Sequence, residues 1–265
     1  MSNESKTALI TGASSGIGYE LAKLFAKDKY NLILVSRNQD ELNNKANELK
    51  TEHGINVNTF ACDLSNDQET FSLCEKLSST GTPIDVLVND AGQGQYGKFI
   101  DNDINRELEI VRLNIGATLI LTKHVLKEMV SRNQGRILNL ASIASEMPGP
   151  WQAVYHGTKA FILSFSESIR SELKDTNITV TALMPGVTDT DFFNKAEMQD
   201  SKMVQDKSSL ADPAKVAQDG YEALMAGDDK IISGFKNKAM VAMGQMMPDS
   251  TVADMMNKQQ GPVDK

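Results

Sequence analysis

The sequence predicts an α/β fold, a doubly wound parallel sheet of about seven strands with helices on both of its faces. Short, almost continuously apolar runs recur along its 265 residues, as expected of strands buried on both faces of a parallel sheet. Between them, apolar residues recur every four positions over helical lengths, as in Leu121, Val125 and Met129. Repeated alternation of this kind gives an open, doubly wound sheet. The predicted strands are residues 7–10, 32–35, 57–61, 86–88, 137–140, 180–183 and a shorter one at 231–232.

Composition excludes several classes of protein. The chain has 27 Lys and Arg against 35 Asp and Glu, a formal net charge of −8, whereas nucleic-acid-binding proteins usually carry a basic excess. Its two cysteines, Cys62 and Cys74, cannot form a disulfide framework, and the scattered histidines lack the spacing of metal ligands. The polar start lacks the apolar stretch of a signal peptide, and no run is long enough to span a membrane. We therefore expect a soluble, cytoplasmic protein that binds neither nucleic acid nor metal.

A glycine-rich turn follows the first predicted strand. Residues 11–18 read TGASSGIG, and a helix is predicted from Tyr19 onwards. Glycines at a strand–helix turn let the backbone approach a pyrophosphate, and the helix N-terminus offers the anion unpaired N–H groups and a favourable dipole. The spacing of Gly12, Gly16 and Gly18 is G-x-x-x-G-x-G rather than the commoner G-x-G-x-x-G. Placed after the first strand of an alternating chain, this turn predicts a dinucleotide site.

The end of the second predicted strand indicates which dinucleotide binds. In NAD sites an acidic residue about 20 positions after the turn bonds the ribose 2′-hydroxyl. Here Arg37 follows the strand, and no carboxylate precedes Asp40. A guanidinium suits a phosphate, so the sequence favours NADP(H) over NAD(H); the alternative is a solvated arginine at a strand end. Asp63, after the third strand, is interpreted either as an acceptor for the adenine amino group or as a helix N-cap.

Tyr155 and Lys159 stand four residues apart in a stretch of helical period, so both are expected on one face of a helix. A free phenol has a pKa of about 10 and transfers protons poorly near neutrality. Lowering that pKa by about three requires about 4 kcal/mol. An ammonium about 4 Å away supplies about 4 kcal/mol at an effective dielectric constant of about 20. One lysine is therefore sufficient to make the phenol a usable proton carrier.

Two polar residues complete the candidate catalytic set. Ser142 lies just past the fifth predicted strand, and its hydroxyl is placed to hold a carbonyl oxygen in line with the phenol. Asn114, at the start of the helix between the fourth and fifth strands, is placed to hold a water beside Lys159. Taken singly, Ser142 is equally well a turn residue and Asn114 an ordinary polar helix position. Their combination with Tyr155 indicates proton transfer at a carbonyl.

These motifs together resemble those of the short-chain dehydrogenase/reductase family, over roughly residues 6–234. The resemblance implies that Tyr155 is the general acid in reduction and the general base in oxidation. It also implies that Lys159 lowers the pKa of Tyr155 and binds the nicotinamide ribose, while Ser142 orients the carbonyl and Asn114 supports a proton relay. The motifs that carry it are Thr11-Gly12-x-x-x-Gly16-x-Gly18, Asp63, Asn89-Asp90-Ala91-Gly92, Asn114, Ser142, Tyr155/Lys159 and Pro185-Gly186-Val187-Thr188.

The resemblance implies a set of cofactor contacts as well. Val187 and Thr188 are expected to meet the nicotinamide amide, and Asn89 and Gly92 to line the cofactor. The family usually has Asn where this chain has Asp90, a mainly structural position at which the change is expected to matter little. The residues expected to contact the cofactor are Gly12, Ser14, Ser15, Gly16, Ile17, Gly18, Arg37, Asp63, Leu64, Asn89, Ala91, Gly92, Tyr155, Lys159, Pro185, Gly186, Val187 and Thr188.

The chain is expected to form one Rossmann-type catalytic domain, residues 1–234, followed by a methionine-rich C-terminal extension, residues 235–265. The extension holds six of the 13 methionines, which either fill an irregular apolar seam on the domain or form a docking surface for a partner subunit or a membrane face. Residues 188–210 lack a clean period and lie where a lid over a site would sit. Beside Ser142 and Tyr155, Trp151 and Phe192 are expected to border the substrate; for Trp151, core packing is the alternative.

The leading hypothesis is an NADP(H)-dependent oxidoreductase that transfers a hydride between nicotinamide and a small-molecule carbonyl or secondary alcohol. The cofactor performs the hydride chemistry, and the protein supplies orientation, proton transfer and electrostatics. One alternative is a catalytically silent NADP-binding sensor or scaffold on the same fold; another is a dehydratase or isomerase. The family's common assembly makes a homo-oligomer, dimer or tetramer, the expectation for quaternary structure.

Overall fold

The structure is a computed structural model that describes residues 6–205 and 210–263. Within these residues one sheet of seven strands has the order β3-β2-β1-β4-β5-β6-β7, and all neighbouring strands are parallel. The predicted doubly wound α/β fold is confirmed. The strands are β1 (Thr7–Thr11), β2 (Asn31–Ser36), β3 (Val57–Ala61), β4 (Val86–Asn89), β5 (Gly135–Leu140), β6 (Ile178–Met184) and β7 (Lys230–Ile232).

Helices connect the strands and extend beyond the last of them. The connection between β4 and β5 includes a continuous helix whose middle part, Arg112–Ala117, is π-helical. A short 3₁₀ turn, Ile143–Glu146, follows β5. The α-helices of the described residues are α1 (Gly16–Lys27), α2 (Gln39–His53), α3 (Asp67–Ser79), α4 (Ile104–Val111), α5 (Thr118–Arg132), α6 (Ala153–Glu172), α7 (Phe192–Lys195), α8 (Lys202–Gln205), α9 (Pro213–Ala226), α10 (Phe235–Gln245) and α11 (Asp249–Gln260).

The sheet is stable because its strands supply apolar side chains to both faces. All five residues of β1 are buried, and successive side chains of a strand point to opposite faces. Ala8 and Ile10 belong to the core that also contains residues of α1, α2 and α9, whereas Leu9 belongs to the core of α3, α5 and α6. This arrangement explains the uninterrupted apolar runs seen in the sequence.

The order of the strands positions the site. The connections reverse direction between β1 and β4, and ligands of such sheets bind at the carboxyl ends of the strands beside that point. The glycine-rich turn after β1 and the segments after β4, β5 and β6 all open at this edge. Helix α1 begins at Gly16, three residues before the predicted start at Tyr19, because Ser15 is the last residue with an extended backbone.

The C-terminal extension folds back onto the segment that follows β5. Val241 of α10 and Val252 and Met256 of α11 form a small core with the 3₁₀ turn and Met147. Part of the methionine-rich segment therefore fills an apolar seam, as one of the two alternatives predicted. Met246, by contrast, is 87% exposed, and a partner contact there stays a prediction. No helix in the described part of the chain is long and apolar enough to cross a bilayer.

Candidate active site

A cavity of about 520 Å³ runs along the carboxyl edge of the sheet, from the turn after β1 to the C-terminal helices. Most of the predicted site residues line it, and a few lie behind its wall. The predicted residues that line it are Gly12, Ser14, Ser15, Gly16, Ile17, Arg37, Asp63, Leu64, Ala91, Gly92, Ser142, Tyr155, Pro185, Gly186, Val187, Thr188 and Phe192. The predicted residues outside its wall are Gly18, Asn89, Asn114, Trp151 and Lys159.

The turn after β1 requires glycine for reasons of space and conformation. Gly12 has φ +69°, and a Cβ there would lie 2.7 Å from Oδ2 of Asp90 and 3.0 Å from the backbone nitrogen of Ala91. A Cβ on Gly18 would lie 2.5 Å from the same Asp90 oxygen. Gly18 is thus not a cofactor-lining residue; it lets α1 start close beneath the turn. The backbone of residues 12–17 is left open to the cavity.

The first turn of α1 is available to an anion. Its N-cap residue, Ser15, forms no side-chain capping hydrogen bond, and the first turn contains no acidic residue. The N–H groups at the start of a helix lack partners within the helix and carry the positive end of its dipole. Ser14 and Ser15 line the cavity beside them. This chemistry fits the pyrophosphate of a dinucleotide.

The residues after β2 also fit a phosphate. Arg37 lines the cavity, is exposed, and has no hydrogen bond or ion pair with any described residue. Beside it, Oγ of Ser36 is buried and has no partner among the described residues. The Arg37 guanidinium and the neighbouring Ser36 hydroxyl, which lacks a partner, can together bind an anionic oxygen group such as a phosphate. Glu41 is a further residue of the lining, so this end of the cavity is not uniformly basic.

Asp63 does not cap a helix. Asn66 is the N-cap of α3 and accepts from the backbone N–H groups of Gln68 and Glu69. Asp63 instead accepts from the backbone and hydroxyl of Ser65, at 3.0 and 2.7 Å. The N-cap alternative is therefore wrong, and Asp63 lies in the cavity wall as an adenine contact would.

The side chain of Asn89 lies inside the sheet. It is 6% exposed, and its Nδ2 donates to Oγ1 of Thr122 and Oδ1 of Asn139, at 3.0 and 2.8 Å. Asn139 in turn donates to Oγ of Ser166 in α6. The side-chain amide of Asn89 therefore ties β4 to β5 and α5, and its contact with the cofactor stays a prediction.

Tyr155 and Ser142 face each other across the middle of the cavity. Tyr155 lies in the first turn of α6 and is partly exposed to the cavity, and Ser142 is the N-cap of the 3₁₀ turn. Burial among protein atoms raises the pKa of the Tyr155 phenol to about 12, and its hydrogen bond with Ser142 acts in the opposite direction. The phenol is thus fully protonated at neutral pH.

Lys159 lies behind Tyr155 on the same face of α6, as the spacing predicted. It is 4% exposed, its Nζ is 5.8 Å from the centre of the Tyr155 ring, and it donates to the carbonyl of Leu140 at 2.7 Å. Burial lowers the pKa of Lys159 to about 8. The net effect of the fold on Tyr155 is nevertheless to raise its pKa, because burial of the phenol has the larger effect; that Lys159 lowers this pKa stays a prediction.

Asp90 is a buried carboxylate close to the lysine of the site. Its Oδ1 is buried and has no partner among the described residues, and burial raises its pKa to about 7. Lys159 is the neighbouring charge that opposes this shift, and Asp90 in turn raises the pKa of Lys159. That the departure from asparagine matters little stays a prediction.

Asn114 braces the loop after β4. It lies within the π-helical stretch, in the middle of a long helix rather than at the predicted helix start. Its Nδ2 donates to the carbonyl of Gln93 and to Oγ1 of Thr158, and its Oδ1 accepts from the N–H of Gln93, all at 2.9 Å. The side-chain amide is therefore held by protein partners. Its Oδ1 and the Nζ of Lys159 would each lie 3.4 Å from a Cβ on Gly92, and the water predicted beside Lys159 stays a prediction.

The segments after β6 close the cavity on the substrate side. Residues 185–188 line it, and Thr188 is held by a parallel bridge to Ala211. The predicted lid region forms α7 and α8, and the ring of Phe192 in α7 packs 5.1 Å from the Tyr155 ring, centre to centre. Residues 206–209 of that region lie outside the described residues.

Trp151 lies outside the lining of the cavity and holds the C-terminal helix to the loop before α6. Its ring stacks on Tyr96 at 5.7 Å, and its Nε1 donates to Oδ1 of Asn257 in α11 at 2.7 Å. It also has a left-handed backbone, with φ +70°. The contact with substrate stays a prediction.

Comparison with models of protein families shows to which family the chain with this site belongs. The model of the short chain dehydrogenase family matches residues 6–201, which include the glycine-rich turn, Ser142 and the Tyr155/Lys159 pair. The chain belongs to the short-chain dehydrogenase family. It is thus a member of a family of oxidoreductases.

Individual relatives agree with this assignment. A very-long-chain 3-oxoacyl-CoA reductase of Laccaria bicolor is 38% identical over 180 residues, which are 66% of this chain and 53% of that relative. The present chain therefore spans about half the length of that protein. The ketoacyl reductase HetN of Nostoc sp. is 29% identical over 252 residues, covering 92% of this chain and 86% of the relative.

Solved structures agree with the fold. A short-chain dehydrogenase from Sphingobium yanoikuyae in complex with NADPH has a TM-score of 0.83 and 26% identity, and 98% of each chain is covered. An L-sorbose reductase from Gluconobacter frateurii complexed with NADPH and L-sorbose has a TM-score of 0.75 and 25% identity, covering 87% of this chain and 96% of that one. A 3-oxoacyl-[acyl-carrier protein] reductase from Brucella melitensis, with a TM-score of 0.72 and 24% identity, covers 88% of this chain and 92% of that one, and has bound NAD.

Several residues of this short-chain dehydrogenase line the cavity although no local motif indicated them. Three glutamines and two C-terminal methionines belong to this set. Glutamine is an ordinary helix and loop residue, so none of these positions stands out in the sequence; only the folded chain brings them together. They are Gln93, Gln152, Gln260, Met240 and Met256.

The remaining candidate residues have structural roles. Cys62 and Cys74 are buried, and burial raises the pKa of both thiols to about 11, so neither is an activated nucleophile. Among the described residues no group of three or more His, Cys, Asp or Glu is arranged to hold a metal ion.

Proposed function

We propose that the protein is an NADP(H)-dependent carbonyl reductase, which transfers a hydride between nicotinamide and a carbonyl or secondary alcohol. The observation that carries the proposal is one continuous cavity that contains Arg37 and a glycine-rich turn at one end and the Ser142–Tyr155 pair further along it. This is the arrangement a reaction between a dinucleotide and a small carbonyl compound requires.

The proposed cofactor fits the residues present. The backbone of residues 12–17 and the start of α1 would hold the pyrophosphate, and Arg37 with Ser36 would hold the 2′-phosphate. Residues 185–188 would meet the nicotinamide. When bound, the cofactor supplies or accepts the hydride, and the protein provides position and protons. The solved structures of relatives that contain NADPH support this choice.

Three side chains have proposed roles at the reacting carbonyl. The Ser142 hydroxyl holds the carbonyl oxygen, and Tyr155 donates its phenolic proton to that oxygen as negative charge develops there. Lys159, positively charged behind the ring, stabilises the phenolate that remains. Removing water from this buried region strengthens each of these interactions.

At neutral pH Tyr155 and Lys159 both carry the proton that carbonyl reduction needs. With a pKa of about 12, Tyr155 holds a proton ready for donation, and with a pKa of about 8, Lys159 is mostly charged. Oxidation would need the phenolate, which burial disfavours. The reductase names of the relatives from Laccaria and Nostoc agree with the reductive direction.

The experiment that tests the proposal follows NADPH and NADH oxidation by the purified protein against ketones, aldehydes and 3-oxoacyl thioesters. We expect turnover with NADPH, a lower kcat/KM with NADH, and an alcohol product equal in amount to the NADPH consumed. Tight binding of NADPH without turnover of any carbonyl would contradict the proposal and support the silent sensor. Product formation without net NADPH consumption would support the dehydratase or isomerase.

A further inference from the structure

The substrate end of the cavity contains a buried amide whose hydrogen-bonding capacity is not fully used. Gln152 is 4% exposed, lines the cavity, and is the N-cap residue of α6, but its side chain forms no capping hydrogen bond. The Nε2 group donates to the thioether sulfur of Met198 at 3.1 Å. A thioether is a weak acceptor, and a poorly satisfied buried donor is costly. An oxygen acceptor would bind this N–H group better.

This amide lies beside the reacting groups. The backbone of Gly94 packs closely against these groups: a Cβ there would lie 2.8 Å from the ring of Phe192, 3.4 Å from Nε2 of Gln152 and 3.4 Å from Cδ2 of Tyr155. The Gln152 amide and the Tyr155 ring therefore lie within a few ångströms of one point, and both line the cavity. A substrate whose carbonyl oxygen reaches Ser142 and Tyr155 would bring its neighbouring atoms to Gln152.

A second amide makes this end of the cavity polar. Gln260 of α11 is 1% exposed and lines the cavity, and its Oε1 has no partner among the described residues. Its Nε2 lies 3.1 Å from Nε2 of His156, whose Nδ1 lies 2.8 Å from the carbonyl of Met147. The Nδ1–H group donates to that carbonyl, so the imidazole is neutral and its Nε2 accepts from the Gln260 amide. The Oε1 atom of Gln260 can then accept a hydrogen bond from a ligand.

Beyond the amides the wall is apolar and deformable. Thioether side chains from several parts of the chain line it, at Met147, Met198, Met203, Met240 and Met256. Unbranched methionine side chains adapt to ligands of different shape. This wall suits a flexible hydrocarbon tail, whereas the amides suit a polar group near the reacting carbon.

We propose, on the basis of the function proposed above, that Gln152 is a specificity-determining residue that donates to a second carbonyl of the substrate. The substrate class is then a 3-oxo acid derivative, an ester or thioester with an apolar tail, rather than a simple ketone. The reacting 3-oxo group meets Ser142 and Tyr155, and the carboxyl-derived carbonyl accepts from Gln152. A site that hydrogen-bonds a substrate group discriminates against an analogue that lacks it.

The test compares a 3-oxo ester with the ketone of equal length in which methylene groups replace the ester. Because the ester activates the ketone electronically, the informative quantity is how the ratio of the two kcat/KM values changes with Gln152→Met. We expect this substitution to lower kcat/KM for the 3-oxo ester about 10- to 100-fold and to affect the plain ketone much less, so that the ratio falls by about tenfold or more.

The control is Gln68→Met, the same change at an exposed position of α3 outside the cavity, and it should preserve both kcat/KM values and so their ratio. NADPH affinity, followed by nicotinamide fluorescence, should stay within about twofold in both variants, which shows that they fold. An equal loss on both substrates, or an unchanged ratio, would overturn the role of Gln152 while leaving the proposed reductase intact. Failure of the wild type to oxidise NADPH with either substrate would instead overturn the reductase and this inference with it.

Discussion

The two ends of the cavity are built in different ways. The cofactor end consists of backbone at the ends of β1 and β4, closely packed around Gly12 and Gly18, where there is no room for one additional carbon atom. The substrate end consists of side chains from the C-terminal half of the chain, among them five methionines. The first is rigid and suits one invariant ligand, whereas the second is adaptable and suits ligands of a class. Substitutions at the cofactor end should therefore change the binding of the cofactor and not of the substrate, and those at the substrate end the reverse.

The largest effect is expected at the junction of the two ends. Tyr155→Phe removes the proposed proton donor, so kcat should fall by about 10³-fold or more. The glycine-rich turn that is proposed to hold the cofactor is unchanged, so the Kd for NADPH should stay within about twofold. Steady-state kinetics and a fluorescence titration measure the two quantities. Tyr19→Phe, which removes an exposed phenol bonded to Glu48, is the matched control and should be nearly neutral. Substantial turnover by the Tyr155→Phe variant would refute Tyr155 as the proton donor.

The next effect is confined to the cofactor end. Arg37→Asp puts a carboxylate in the place of a guanidinium that has no partner among the described residues. The preference for NADPH over NADH should fall by about 100-fold, because one charge contact with the phosphate is lost and a repulsion is gained. The ratio of the two kcat/KM values measures it. Lys50→Asp makes the same charge change at the far end of α2 and should leave the ratio unchanged. An unaltered ratio in Arg37→Asp would show that the 2′-phosphate is held elsewhere.

The pH dependence of the reaction rate tests the electrostatic coupling between Lys159 and Asp90. Its lowered pKa, about 8, means that the ammonium is present below this pH and lost above it. The rate of carbonyl reduction should thus be level near neutrality and fall about tenfold per pH unit above about pH 8. Asp90→Asn removes the carboxylate that raises the pKa of Lys159, so the fall should begin at lower pH. The profile of kcat at saturating substrate and NADPH measures this, and a fall that begins at the same pH in both proteins would contradict the coupling.

The smallest effect is expected at the substrate end. Met256 is 5% exposed and contributes to both the C-terminal core and the cavity wall. Met256→Ala should lower the free energy of unfolding by about 2–3 kcal/mol and raise the KM for carbonyl substrates several-fold, without altering the Kd for NADPH. Met246→Ala changes a residue that is 87% exposed and serves as control. A weakened NADPH affinity in Met256→Ala would show that the two ends are not separable.

The contrast between the ends explains what could be predicted from the sequence. The strands, the glycine turn and the shared helix face of Tyr155 and Lys159 depend on neighbours in the chain, so their patterns are local and were predicted correctly. The contacts of Trp151 and Asn89 were not predicted, because their partners, in α11 and in β5, are distant in sequence. Gln152 was missed for the same reason. The pKa of Tyr155 depends on desolvation by the whole fold, which residue spacing does not report.

The most direct test of the account is a single-turnover measurement on the wild-type protein loaded with one equivalent of NADPH and mixed with a 3-oxo ester. We expect the absorbance of the reduced nicotinamide to disappear in one phase, with one equivalent of the 3-hydroxy ester formed. Persistence of that absorbance, with NADPH bound and the ester unchanged at any concentration, would contradict the central claim that the two ends form one reductase site.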